Sequence, residues 1–161
     1  MIRLELKSLA DTKRLGRCVA RLLEPGDVIL FHGDLGAGKT TLTRFIAKNL
    51  GIQEREVTSP TFNIIHEHLG GKIPLIHVDL YRLGQNADIL DTGIEEYLAG
   101  ESVIVVEWAE NLTEPIFDEY LELEITMGDD SRTAVLKPAG PAWEKKITAM
   151  KTCLEKGDGK E

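Results

Sequence analysis

Gly33, Gly38, Lys39 and Thr40 fall at the spacing G-x-x-x-x-G-K-[ST]. Each of these residue types has a task at a phosphate. Glycines take backbone conformations closed to other residues and let main-chain N–H groups approach an anion. A helix opening near Lys39 turns its positive end on the same point. The lysine of such a loop reaches the β- and γ-phosphates, and the hydroxyl of the next residue meets Mg²⁺. The segment Gly33-Asp34-Leu35-Gly36-Ala37-Gly38-Lys39-Thr40 therefore reads as a P-loop that holds a nucleoside triphosphate.

A P-loop works with an acid at the end of a neighbouring strand, on the Mg²⁺ side. Asp79 follows Leu75-Ile76-His77-Val78, and Glu107 follows the apolar run Val103-Ile104-Val105-Val106. Glu107 stands where a buried strand emerges at its carboxyl end, the place ligands bind in open α/β sheets. Asp79 shares a strand face with His77 and Tyr81, while Ile76, Val78 and Leu80 point the other way. The pattern leaves Asp79 open as a solvated strand residue, Glu107 as an acid marking a strand end and His77 as a structural histidine. His66 and His68 flank Glu67 without the further ligands a zinc site needs. Thr58-Ser59-Pro60-Thr61-Phe62 occupies the place of a γ-phosphate-sensing switch loop, and reads equally as a Pro-containing turn. No Asn-Lys-x-Asp is present to read guanine, which favours ATP.

The elements that must position these residues are legible. Val28-Ile29-Leu30-Phe31 suits a strand buried on both faces. A helix follows the loop through about Leu50 and is stopped by Gly51. This is strand, loop and helix in the order a P-loop requires. Residues 2–6 read as a strand with Ile2, Leu4 and Leu6 on one face. Ser8 and Asp11 approximate a capping box for a helix carrying Leu15, Val19 and Leu22, ended by Pro25-Gly26. Residues 61–69 and 73–82 form one hairpin about Gly70-Gly71, and 120–126 and 132–137 a second about Gly128-Asp129-Asp130. Residues 86–99 read as irregular helix broken near Gly93. Residues 142–155 read as a final helix with a stripe of Trp143, Ile147, Met150 and Leu154. The expected architecture is α/β: a three-layer P-loop NTPase domain over residues 1–156, with a mostly parallel central sheet plus antiparallel hairpin strands. Residues 157–161 are expected to fray.

Composition bounds the partners. The 161 residues carry 27 acids against 19 bases, a net charge of −8. Such a chain is a poor free-standing binder of nucleic acid, which demands clustered cations. Cys18 and Cys153 show no metal spacing and no disulfide framework, which fits a reducing cytoplasm. No segment approaches the length of an apolar membrane span.

Four segments together resemble one family. They are Gly33-Asp34-Leu35-Gly36-Ala37-Gly38-Lys39-Thr40-Thr41, Ser59-Pro60-Thr61-Phe62, His77-Val78-Asp79-Leu80-Tyr81-Arg82 and Glu107-Trp108. Their order and spacing resemble the TsaE (YjeE) family, the ATPase component of bacterial tRNA threonylcarbamoyladenosine synthesis, over roughly residues 8 to 138. The resemblance implies weak Mg²⁺-dependent ATP hydrolysis, raised by the partners TsaB and TsaD, which transfer a threonylcarbamoyl group to adenosine 37 of tRNAs reading codons that begin with A. tRNA is then met only through the complex. It also implies that Thr40 and Glu107 hold Mg²⁺ and that Lys39, Asp79 and Glu107 serve catalysis. Asp79 then lies near the γ-phosphate and Thr61 belongs to a switch-like loop. Trp108 stacks on or gates the nucleotide, whose outer parts meet Thr12, Glu110 and Arg132. Two other readings are a small-molecule kinase, against which the scattered arginines argue because such enzymes close an Arg-rich lid, and a nucleotide-gated interaction module.

Overall fold

The computed structural model describes residues 1–58, 63–86, 88–113 and 116–156. The segment Ser59-Pro60-Thr61-Phe62 and the tail 157–161 lie outside the described residues. Seven strands form one sheet: β1 (Ile2–Leu6), β2 (Val28–His32), β3 (Ile65–His68), β4 (Leu75–Asp79), β5 (Val103–Glu107), β6 (Tyr120–Met127) and β7 (Arg132–Ala139). Their spatial order is β1-β7-β6-β2-β5-β4-β3. The four central strands, β6, β2, β5 and β4, run parallel. The hairpin partners β3 and β7, with β1 beyond, add antiparallel edges.

The apolar runs of β2 and β5 bury both faces, and each face has its own core. On one side Ile29, Phe31, Val103, Val105 and Leu75 pack against three helices, α1 (Leu9–Ala20), α2 (Lys39–Asn49) and α3 (Pro141–Glu155). On the other Val28, Leu30, Ile76, Val78, Ile104 and Val106 pack under Leu80, Ile89, Ile94 and Phe117. Each such side chain contributes about 1.5–3 kcal/mol on burial. The second covering layer contains no α-helix among the described residues. It consists of 3₁₀ turns at Tyr81–Asn86, Ile89–Thr92 and Ile94–Tyr97. The expected break at Gly93 is the reason: its φ of 80° lies in the left-handed region, which ends one turn and caps the next.

Ser8 and Asp11 close a full capping box on α1. That helix stops at Ala20, before Pro25-Gly26, because Leu22 and Leu23 turn their N–H groups to the carbonyls of Val19 and Ala20. α3 buries the expected stripe of Trp143, Ile147, Met150 and Leu154. The cysteines depart from expectation: Cys18 of α1 and Cys153 of α3 form a disulfide, with Cα atoms 5.8 Å apart. A sequence separation of 135 hides such a pair from any reading of spacing. Packing of α3 against α1 creates it, and the cysteine argument for a reducing compartment falls with it.

Candidate functional site

The loop after β2 crosses the carboxyl ends of the parallel strands. At its start Gly33 has φ of 141°, and a Cβ there would stand 2.4 Å from the Ile125 carbonyl oxygen of β6. Only glycine lets the loop leave the sheet this close to its neighbour. The loop ends at Gly38, whose left-handed backbone opens α2 without any side-chain cap. The first N–H groups of α2 are thus left for an anion.

Two acids and a histidine meet this loop from β4 and β5. Asp79 is paired directly with Glu107 across the parallel ladder, and His77 with Val105. Side chains alternate along a strand, so His77, Asp79 and Glu107 share the α2 side of the sheet. All three are buried, Asp79 at 3% and Glu107 at 2% exposure, which removes the reading of Asp79 as a solvated strand residue. The Thr40 hydroxyl donates to both carboxylate oxygens of Glu107 at 2.9 Å. His77 Nε2 lies 2.8 Å from Glu107 Oε1. Asp79 Oδ1 accepts the N–H of Tyr81 at 2.9 Å, which turns the chain out of β4.

Lys39 is folded back onto its own loop, donating to the carbonyl of Gly33 and, at 3.0 Å, to that of Asp34. Its ammonium stands 4.1 Å from the centroid of the Trp108 ring, a cation–π contact. Burial pulls the Lys39 pKa below its ordinary value, and the carboxylates of Glu107, Glu110, Asp79 and Asp34 offset part of that. Trp108 has φ of 60°, the sole positive φ outside glycine among the described residues. A left-handed tryptophan costs on the order of 1–3 kcal/mol, retained where the surroundings over-determine it. Those surroundings are the Tyr81 ring, 4.9 Å away between centroids, and the Asn111 amide, which donates to the Leu80 carbonyl at 3.0 Å.

A cavity of about 630 Å³ opens beside this cluster. Its lining brings together Thr12 of α1, Leu35 to Thr41 of the P-loop, Asp79, Glu107, Trp108 and Arg132. Arg132, the first residue of β7, approaches the Gly36 carbonyl at 3.4 Å. Glu110 is not in that lining. It sits in a second cleft with His32, Glu122 and Glu124, and its carboxylate lies 3.6 Å from His32 Nδ1. Burial pushes the Glu110 carboxyl up, but the His32 hydrogen bond, its own backbone N–H and the fields of His32 and Lys39 outweigh it, so the net direction is down. Lys7, Leu9, Ile125, Asp130 and Ser131 also line the cavity and carried no motif, and Tyr81, within the His77-to-Arg82 segment, was given no role. Gly128-Asp129-Asp130 marked a turn, but only the placement of β6 beside β2 brings that turn to the P-loop.

The residues suit a magnesium nucleotide. Thr40 and Glu107 offer hard oxygen donors at one point, and Mg²⁺ needs only one or two protein oxygens when phosphates and waters supply the rest. No group of three or more His, Cys, Asp or Glu is arranged for a metal among the described residues.

Comparison with known proteins places this geometry in a family. A family model described as "Threonylcarbamoyl adenosine biosynthesis protein TsaE" matches residues 6–134. A Bacillus subtilis (strain 168) protein named tRNA threonylcarbamoyladenosine biosynthesis protein TsaE is 42% identical over 135 residues, which covers 83% of this chain and 84% of the relative. A Streptomyces coelicolor protein of the same name is 41% identical over 138 residues, or 81% and 93% of the two chains. A solved structure titled "Crystal structure of Bacillus subtilus YdiB" superposes with a TM-score of 0.77 at 33% identity, covering 94% of each chain. From the strand order to the Glu107 end of β5, the chain is therefore a P-loop-bearing α/β protein that belongs to the TsaE family of tRNA threonylcarbamoyladenosine biosynthesis.

Proposed function

We propose that this chain binds ATP with Mg²⁺ in the cavity at Gly33 to Thr41 and hydrolyses it slowly, and that hydrolysis drives turnover of a TsaB–TsaD transferase forming N6-threonylcarbamoyladenosine at position 37 of tRNA. The observation that carries the reading is the Thr40 hydroxyl held on both oxygens of a buried Glu107, beside Lys39. Thr40 and Glu107 would hold Mg²⁺, which would neutralise charge on the phosphate oxygens. The P-loop N–H groups and α2 orient the phosphates, and Lys39 exchanges the carbonyls of Gly33 and Asp34 for them. Asp79 stands near enough to Glu107 to order a water at the γ-phosphate side. Thr12 and Arg132 flank the outer part of the nucleotide, and Trp108 covers its inner part. Thr61 falls outside the described residues, and its switch role rests on the resemblance alone.

No helix among the described residues is long and apolar enough to cross a membrane. The net charge of −8 supports contact with tRNA through partners. The test is Lys39→Ala in the reconstituted complex. Nucleotide binding and tRNA threonylcarbamoylation should both be lost. Retention of both sinks the proposal. A purely nucleotide-gated module differs in one outcome: Glu107→Gln or Asp79→Asn, if it binds ATP without cleaving it, would then still support many turnovers.

A further inference from the structure

His77 is fully buried, and nothing in the proposed hydrolysis uses it. Its Nε2 lies 2.8 Å from Glu107 Oε1, and its Nδ1 has no hydrogen-bond partner. A carboxylate oxygen only accepts, so the proton of this contact belongs on Nε2. The contact is fixed by the sheet. His77 pairs with Val105, and Glu107 is two residues further along β5 on the same face. Both side chains therefore leave rigid central strands, with β5 enclosed between β2 and β4.

Glu107 Oε1 receives His77 Nε2 as well as the Thr40 hydroxyl, while Oε2 receives the Thr40 hydroxyl alone. Anchoring one oxygen leaves the other to face the space beside Thr40. We propose that His77 is a positioning residue that fixes the Glu107 carboxylate for a divalent cation bound with the nucleotide. This rests on the reading of Thr40 and Glu107 as the cation's protein oxygens. Mg²⁺ demands near-octahedral geometry at short distance, so a carboxylate free to rotate is a poorer ligand than a pinned one. Partners that orient ligands in this way typically change metal affinity about 10- to 100-fold.

The experiment measures Mn²⁺ binding by electron paramagnetic resonance in the presence of ADP, and ADP binding in EDTA, for wild type, His77→Leu and His77→Gln. The glutamine amide replaces the Nε2 donor at similar reach, and the leucine does not. The expected result is Mn²⁺ affinity about 10- to 100-fold weaker in His77→Leu, metal-free ADP affinity little changed, and most of the Mn²⁺ affinity restored in His77→Gln. Three outcomes overturn it: wild-type Mn²⁺ affinity in His77→Leu, equal losses in both variants, or metal-free ADP binding that falls in parallel with Mn²⁺ binding. Wild-type protein that binds Mn²⁺ no better with ADP than without it overturns the cation reading itself, and the positioning role with it.

Discussion

The ammonium of Lys39 lies 4.1 Å from the centre of the Trp108 ring. A triphosphate that draws Lys39 to itself must take it off the ring. Trp108 is one of two tryptophans, and the other, Trp143, is buried at the base of α3. Addition of ADP should therefore change the intrinsic fluorescence, and Trp108→Phe should abolish the change while leaving the Trp143 emission. A full response in Trp108→Phe would place the lysine elsewhere in the bound state.

Arg132 reaches the P-loop from β7 at the Gly36 carbonyl. Beside a bound polyphosphate its guanidinium makes a charge-assisted contact of about 1.5–3 kcal/mol. Arg132→Ala should weaken ADP binding by about 10-fold or more, read by calorimetry, without lowering the melting temperature. Unchanged affinity would assign Arg132 to the apo loop alone.

The Cys18–Cys153 disulfide joins α1 to α3 across a sequence separation of 135. Bonds of this kind contribute typically about 2–4 kcal/mol, by limiting the unfolded chain. Cys153→Ser should lower the melting temperature by about 5–15 °C. Dithiothreitol should lower the wild-type value to match and leave the variant unmoved. Identical melting with and without reductant would show that the bond adds no stability.

Asp11 supplies an acid-limb signature. The Ser8 hydroxyl, and with it the N–H groups of Lys7 and Ser8, hold its carboxyl below the ordinary value of 3.8 against a smaller opposing effect of burial. A carboxyl with a folded pKa below its unfolded one stabilises the fold above the unfolded value, and that contribution is lost as pH falls through the folded value. Asp11→Asn should therefore be less stable than wild type at pH 7, with the gap closing as pH drops below 3.8. Ser8→Ala should cost about 1 kcal/mol at neutral pH by loss of the cap. A gap that persists at the acid end would tie the effect to packing, not to charge.

Local chemistry is what the sequence makes legible. The P-loop, the capping box at Ser8 and Asp11, both hairpins, the break at Gly93 and the strand ends at Asp79 and Glu107 each depend on neighbours within a few residues. The parallel register that sets Asp79 against Glu107, and so puts His77 on the Glu107 carboxylate, is a long-range property with no local mark. The same holds for Ser131 and Asp130, which reach the cavity only because β6 lies beside β2. Glu110 shows the converse. It lies only two residues beyond Trp108, yet the 3₁₀ turn at Ala109–Asn111 sends it to His32 and away from the cavity lining.

The neighbours of β2 have a consequence for how the protein is made. The loop at Gly33 leaves a strand whose two partners, β5 and β6, begin at Val103 and Tyr120. Ribosomes deliver the chain from its amino end. The P-loop is thus synthesised early, but the walls supplied from β5 onward, among them Glu107, Trp108, Ile125 and Arg132, follow only when roughly the last third of the chain has emerged. If the chain binds nucleotide as proposed, the ligand has no finished pocket to fill until then, and its binding would reward only the completed fold.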